Sequence, residues 1–318
     1  MYIKSLHTTK AMHSILGILA VAITLISCKN ADKQNTESIV PAAYTEITND
    51  QYLLYTPTEN IKKVVVLFGG YPETPEDIKR EFQIRDQAKA NNIAVLYMNY
   101  NQKLWLEENE KQTLAKQLQN IFTINKLPTK ETYFGGFSSG GNMAVLISAF
   151  LTQNKNFQIT PKGVFIVDSP IDLIALYRSS EKNLERNFSE PAIQESNWII
   201  ATLEENFGTP EANLPQYEKH AIYTSKTNNI TNWKGLKNTK IRLYTEPDTL
   251  WWQENRKADY DQMNAYYIQK LSKSLQASGF NQVQYIPTTN KGYRSNGERH
   301  PHSWSIIDKT DWIAWIME

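Results

Sequence analysis

The hexapeptide GFSSGG, residues 136–141, sets two serines in a glycine frame. It lies between a short apolar run, Tyr133-Phe134, and NMAVLISAF, an apolar stretch with the character of a buried helix. Gly136-Phe137-Ser138-Ser139-Gly140 fits G-x-S-x-G, a pattern in which a serine on a sharp strand-to-helix turn attacks an acyl carbon. Ser139 does not fit, because the residue two before it is Phe137. The spacing has a physical reason: glycine two positions to either side of the serine removes side chains that would collide across a strained turn. Such a serine needs a base. Of five histidines, His7 and His13 precede the folded part, leaving His220, His300 and His302.

The elements that must position these groups follow from the apolar rhythm. YTEI and YLLY flank Thr48-Asn49-Asp50-Gln51 as a hairpin would. VVVLF (64–68) is continuously apolar and ends at Gly69-Gly70, as expected of a strand covered on both faces. A helix start follows, with Thr74 as cap, Pro75 in the first position, and Glu76 and Asp77 at the positive end of the dipole. IAVLYMNY (93–100), residues 132–137, GVFIVDSP (163–170), KIRLYT (240–245) and VQYIP (283–287) read as further strands. A helix is expected through about 104–126. Strands alternating with helices predict an α/β architecture with a mostly parallel, doubly wound sheet. Residues 173–238 break the alternation with helix-like pieces separated by Pro191, Pro210 and Pro215, and are expected to form a helical insertion, or lid, over one end of the sheet.

The 318 residues are 41% apolar with a formal charge of +1, enough for a sizeable core and without the basic excess of a nucleic-acid-binding domain. No spaced ligand cluster suggests a metal, and no cofactor is expected. Lys4 and Lys10 lead into SILGILAVAITLISC, which is positioned like the apolar region of a secretory signal peptide. LISC (25–28) resembles the lipobox of bacterial lipoprotein precursors. The resemblance implies a signal peptide over 1–27, acylation of Cys28 by chains such as palmitate, and a membrane anchor in the cell envelope, at the outer membrane or cell surface. Cys28 is the single cysteine, so the mature domain has no disulfide and no catalytic thiol. Residues 28–43 are expected to be a flexible tether ahead of a domain spanning 44–318.

With its elbow-like GFSSGG, the chain from Tyr44 onward resembles the α/β-hydrolases, serine esterases in particular, with an eight-stranded sheet. The resemblance implies a Ser, acid, His order along the chain. Asp248, in IRLYTEPDTLWW, matches the usual position of the acid, with Glu246 as alternative and Asp168, after the preceding strand, as the remoter one. HSW at 302–304 matches the family's histidine, so His302 is expected as base with His300 second, while His220 falls in the insertion. The oxyanion donors are expected to be the N–H of Ser139 and that of Tyr71, with Gly70 as alternative, and the Ser139 hydroxyl is left without a task. Pro72 has no N–H to offer. Aromatic residues Tyr71, Trp251, Trp252 and Trp304 are expected near the site, and Arg294 and Arg299 are candidates to hold a substrate carboxylate. The implied activity is hydrolysis of carboxylic esters, small or saccharide-borne. A GxSxGG-type serine peptidase and a non-catalytic binding lipoprotein are the alternatives.

Overall fold

The computed structural model describes residues 43–100 and 102–318. The expected signal peptide, Cys28 and the tether through residue 42 lie outside the described residues. Two antiparallel strands, β1 (Tyr44–Thr48) and β2 (Tyr52–Pro57), open the domain as the expected hairpin, with Tyr44 opposite Pro57 and Thr48 opposite Leu53. Thereafter β3 (Lys63–Phe68) leads through α1 (Pro75–Phe82) and α2 (Arg85–Ala90) to β4 (Ile93–Met98). Helix α3 (Glu108–Ile124) is shorter than the expected 104–126. It is followed by β5 (Thr132–Phe137), α4 (Ser139–Gln153) and β6 (Pro161–Val167).

Three helices fill the expected interruption: α5 (Leu173–Arg186), α6 (Glu190–Phe207) and α7 (Leu214–His220). The sheet then resumes with β7 (Lys240–Thr245), α8 (Thr249–Arg256), α9 (Asn264–Ala277) and β8 (Val283–Pro287), and the chain closes with α10 (Lys309–Met317). The eight strands lie in the order β1-β2-β4-β3-β5-β6-β7-β8, and every pairing from β4 onward in that order is parallel.

Period-two alternation divides the core. Val64, Val66 and Phe68 of β3 face Leu114, Leu118 and the apolar side of α4, while Val65 and Leu67 face Ile78, Phe82 and the Trp312, Trp315 and Ile316 set of α10. The inner strands are apolar at successive positions because both faces are covered. β8, at the sheet edge, has no fully buried residue. Each large apolar side chain so enclosed stabilises the domain by about 1.5–3 kcal/mol. A third cluster, with Leu173, Tyr177, Leu203, Phe207 and Tyr217, binds α5, α6 and α7 together. Here His220 is buried, stacks on Phe207 at 4.6 Å and contacts Glu107 at 3.0 Å, which gives it a place in packing. No helix among the described residues is long and apolar enough to cross a membrane.

Candidate active site

In a parallel sheet the loops at the carboxyl ends of the strands converge on one edge, where ligand sites form. Five such loops carry the residues discussed above. The turn after β5 is the sharpest. Ser138 has φ 51° and ψ −131°, a conformation that costs on the order of 1–3 kcal/mol and persists only where its surroundings enforce it. The flanking glycines explain how it fits. A Cβ on Gly136 would lie 2.1 Å from the carbonyl oxygen of Gly140, and one on Gly140 would lie 2.2 Å from that of Phe68. The Ser138 N–H donates to the Val167 carbonyl at 2.9 Å, tying the turn to β6.

His302 stands on the loop between β8 and α10, its ring packed 4.4 Å from that of Phe137. Its Nδ1 lies 2.7 Å from Oδ2 of Asp168. The expected pairing with Asp248 is not formed. Asp168 directly follows β6, where a left-handed backbone (φ 45°) turns its side chain, and its N–H donates to the Tyr244 carbonyl at 2.9 Å. The Thr245 hydroxyl donates to the other carboxylate oxygen at 2.6 Å, and the Asn264 side chain donates to the Asp168 carbonyl at 2.7 Å. With Nδ1–H donating to Asp168, the neutral imidazole keeps its lone pair on Nε2.

The two acids after β7 are engaged elsewhere. Asp248 caps α8, accepting from the Trp251 N–H at 3.0 Å, and pairs with Arg299 at 2.6 Å. Glu246 is buried, accepts from the N–H groups of Lys291 and Gly292 at 2.9 and 3.0 Å, and lies 2.5 Å from Arg299. Together they hold the β8–α10 loop that carries His302. They also neutralise Arg299, which removes it as a holder of substrate. His300 lies beside Trp251, 4.7 Å between ring centres, and burial pushes its pKa down to about 3, with the nearby His302, Arg294 and Arg256 side chains adding to the depression. It therefore stays neutral.

On the loop after β3, the Gly70 N–H donates to Glu73 at 2.9 Å, so this alternative donor is already engaged. The Tyr71 N–H donates to the Ser139 hydroxyl at 3.2 Å. That hydroxyl, expected to be without a task, thus connects the β3 loop to the turn. A Cβ on Gly70 would lie 2.8 Å from that of Ser138, so the loop runs directly against the serine. As the first residue of α4, Ser139 has an N–H with no partner inside the helix. Glu73, whose carboxyl is raised in pKa by burial, also accepts from the Trp304 indole at 3.1 Å. Trp304 is fully buried and stacks on Phe82, which makes it a packing residue beneath the site.

Ser138 and His302 open onto one cavity of about 590 Å³. Tyr71 and Trp252 line it as expected, and Phe137, Phe188 and Arg294 join them. Helices α5 and α6 contribute Ser179, Asn183, Arg186 and Glu195 to its wall, and the Tyr71 ring stacks on Trp198 of α6 at 4.9 Å. The sequence contained no signal for Glu73, Arg186 or Arg256, which reach this region from separate elements. No group of three or more His, Cys, Asp or Glu residues suited to a metal ion occurs among the described residues.

No protein-family model matches the chain, and no curated protein matches it in sequence. Its backbone is similar to several solved structures. Carboxyl esterase 2 from the mycorrhizal fungus Tuber melanosporum aligns over 88% of this chain and 87% of its own, with TM-score 0.54 and 14% identity. MPT51 of Mycobacterium tuberculosis aligns over 86% and 99%, with TM-score 0.53 and 12% identity. The Francisella virulence factor BioJ aligns over 86% and 84%, with TM-score 0.51 and 14% identity. The eight-stranded sheet and its flanking helices are those of the α/β-hydrolase fold.

Proposed function

We infer that the domain is a serine hydrolase acting on carboxylic esters, with Ser138 as nucleophile, His302 as base and Asp168 as the residue that orients it. One observation carries the reading: the 2.7 Å contact between Asp168 and His302 Nδ1, on a loop that shares a cavity with a serine held in a strained turn. The likeness in fold to a carboxyl esterase supports it.

In this mechanism Nε2 of His302 takes the hydroxyl proton as Ser138 Oγ bonds to the acyl carbon, and the carbonyl oxygen becomes an oxyanion. Asp168 stabilises the imidazolium that results. Collapse of the tetrahedral intermediate breaks the bond to the alcohol oxygen, which leaves with the proton from His302. Water, deprotonated by the same imidazole, then attacks the acyl-enzyme, releasing the carboxylic acid and restoring Ser138. The oxyanion is assigned to the N–H groups of Ser139 and Tyr71. Each such donor is worth about 2.7–4 kcal/mol in the transition state of comparable enzymes. Tyr71 is shared with the Ser139 hydroxyl until substrate arrives.

A fluorophosphonate probe tests this reading, because it phosphonylates only an activated serine. Wild-type protein labels and Ser138→Ala does not; equal labelling of the two, or none of either, sinks the assignment. Attachment to a bacterial membrane through acylated Cys28 is the companion proposal, resting on LISC. Metabolic labelling with an alkynyl palmitate and its loss in Cys28→Ser test it.

A further inference from the structure

The chain has eight arginines. Arg80, Arg85, Arg178, Arg242 and Arg299 are each in an ion pair with a carboxylate. The other three, Arg186, Arg256 and Arg294, form no ion pair among the described residues, and all three line the cavity that contains Ser138 and His302. They come from different places: the last turn of α5, the last turn of α8, and the β8–α10 loop.

Each is held by neutral partners. Arg186 donates to the side-chain oxygens of Asn183 at 3.1 Å and Gln262 at 2.5 Å, and to the Arg256 carbonyl at 3.4 Å. The Arg256 guanidinium lies 5.8 Å from the Trp251 ring centre, and that of Arg294 lies 5.8 Å from Phe137. Amide oxygens and aromatic faces orient a guanidinium without cancelling its charge. The acids of the same wall offset that charge only in part, one carboxylate being matched by Arg80. Asp77 and Glu81 pair with Arg80, at 2.7 and 3.3 Å. Glu73 accepts from Gly70 and Trp304, and its burial favours the uncharged form against the opposing field of Arg294. Glu195 sits on an exposed face of α6. The pKa of His300, in the same wall, is depressed chiefly by burial, and Arg294 and Arg256 add to the depression.

We propose that this cavity selects esters carrying a carboxylate, with Arg294, Arg256 and Arg186 as the residues that recognise it beside the reacting serine. The proposal rests on the ester-hydrolase reading and adds the substrate class. A guanidinium pre-oriented in a partly enclosed wall binds a carboxylate through two parallel charge-assisted hydrogen bonds, and a neutral group in that place leaves those donors unanswered. Of the two sequence candidates for this task, Arg299 is consumed by Glu246 and Asp248, and Arg294 remains.

The test compares esters that differ only in that charge. Mono-4-nitrophenyl glutarate is set against its methyl ester, with the carboxylate on the acyl side. 4-Acetoxybenzoate is set against its methyl ester, with the carboxylate on the alcohol side. The proposal expects kcat/KM for the anionic member of at least one pair to exceed that of its neutral partner by about tenfold or more. That ratio should shrink when salt is raised from about 0.02 M to about 0.5 M. In Arg294→Gln and Arg256→Gln it should fall at least fivefold, while the fluorophosphonate probe still labels Ser138 to report an intact site. Ratios of one or below in both pairs, or ratios untouched by both substitutions, overturn the proposal. Absence of labelling and of turnover on every ester instead overturns the hydrolase reading beneath it.

Discussion

Replacing Asp168 by asparagine separates the two acids that the sequence offered for one task. Asparagine is nearly isosteric, and its side-chain oxygen can still accept from the Thr245 hydroxyl, now 2.6 Å from Asp168 Oδ1. Its NH2 then faces His302 Nδ1, where Asp168 Oδ2 now lies at 2.7 Å. Two donors cannot share that contact, so the imidazole moves its proton to Nε2 and loses the lone pair required by Ser138. In a serine protease the same tautomer inversion lowers kcat by about ten-thousandfold, equivalent to about 5.4 kcal/mol of barrier. Asp248→Asn should behave differently. Its oxygen still caps the Trp251 N–H, and the lost contact is a partly exposed pair with an Arg299 that retains Glu246. Pairs of this kind are worth about 0.2–1 kcal/mol, a few degrees of Tm at most. The assay is kcat/KM on 4-nitrophenyl acetate, with circular dichroism to verify folding. Asp168→Asn should fall at least a thousandfold and Asp248→Asn by less than threefold. The reverse order would refute the reasoning and return the acid to the end of β7.

Two further outcomes follow from the same geometry. Ser139→Ala removes the acceptor of the Tyr71 N–H, a bond worth about 0.5–1.5 kcal/mol, so kcat should fall up to about tenfold with the fold intact. Unchanged kcat would mean that the loop after β3 is held by other contacts. His300 has a folded-state pKa of about 3, below the ordinary value of 6.5, so between these limits the unfolded chain binds more protons and stability drops as pH falls. The slope is at most about 1.4 kcal/mol per pH unit, and less because the ring borders solvent in the cavity. Urea unfolding at pH 7, 6, 5 and 4 should show wild type losing stability more steeply than His300→Gln; parallel curves would contradict the burial of a neutral imidazole.

GFSSGG, the apolar strands and the capped start of α1 are local patterns, and the chain realises them where its residues indicate. Period-two runs covered on both faces leave few alternatives to a parallel sheet, and glycines at 136 and 140 admit a turn that no other residues permit. His302 stood out as the candidate base because few histidines compete with it. Its carboxylate partner did not, since Asp168, Glu246 and Asp248 all follow strands, and sequence distance does not say which carboxylate a ring 50 or 130 residues away will meet. Packing settled that through Arg299, which draws Glu246 and Asp248 into a loop brace and leaves Asp168, turned by its positive φ, facing His302. Arg186 and Arg256 were equally invisible in the chain, whereas Arg294 was a candidate from its loop. A guanidinium at a helix end reads as a solvated surface charge until the fold shows which carboxylates are absent around it.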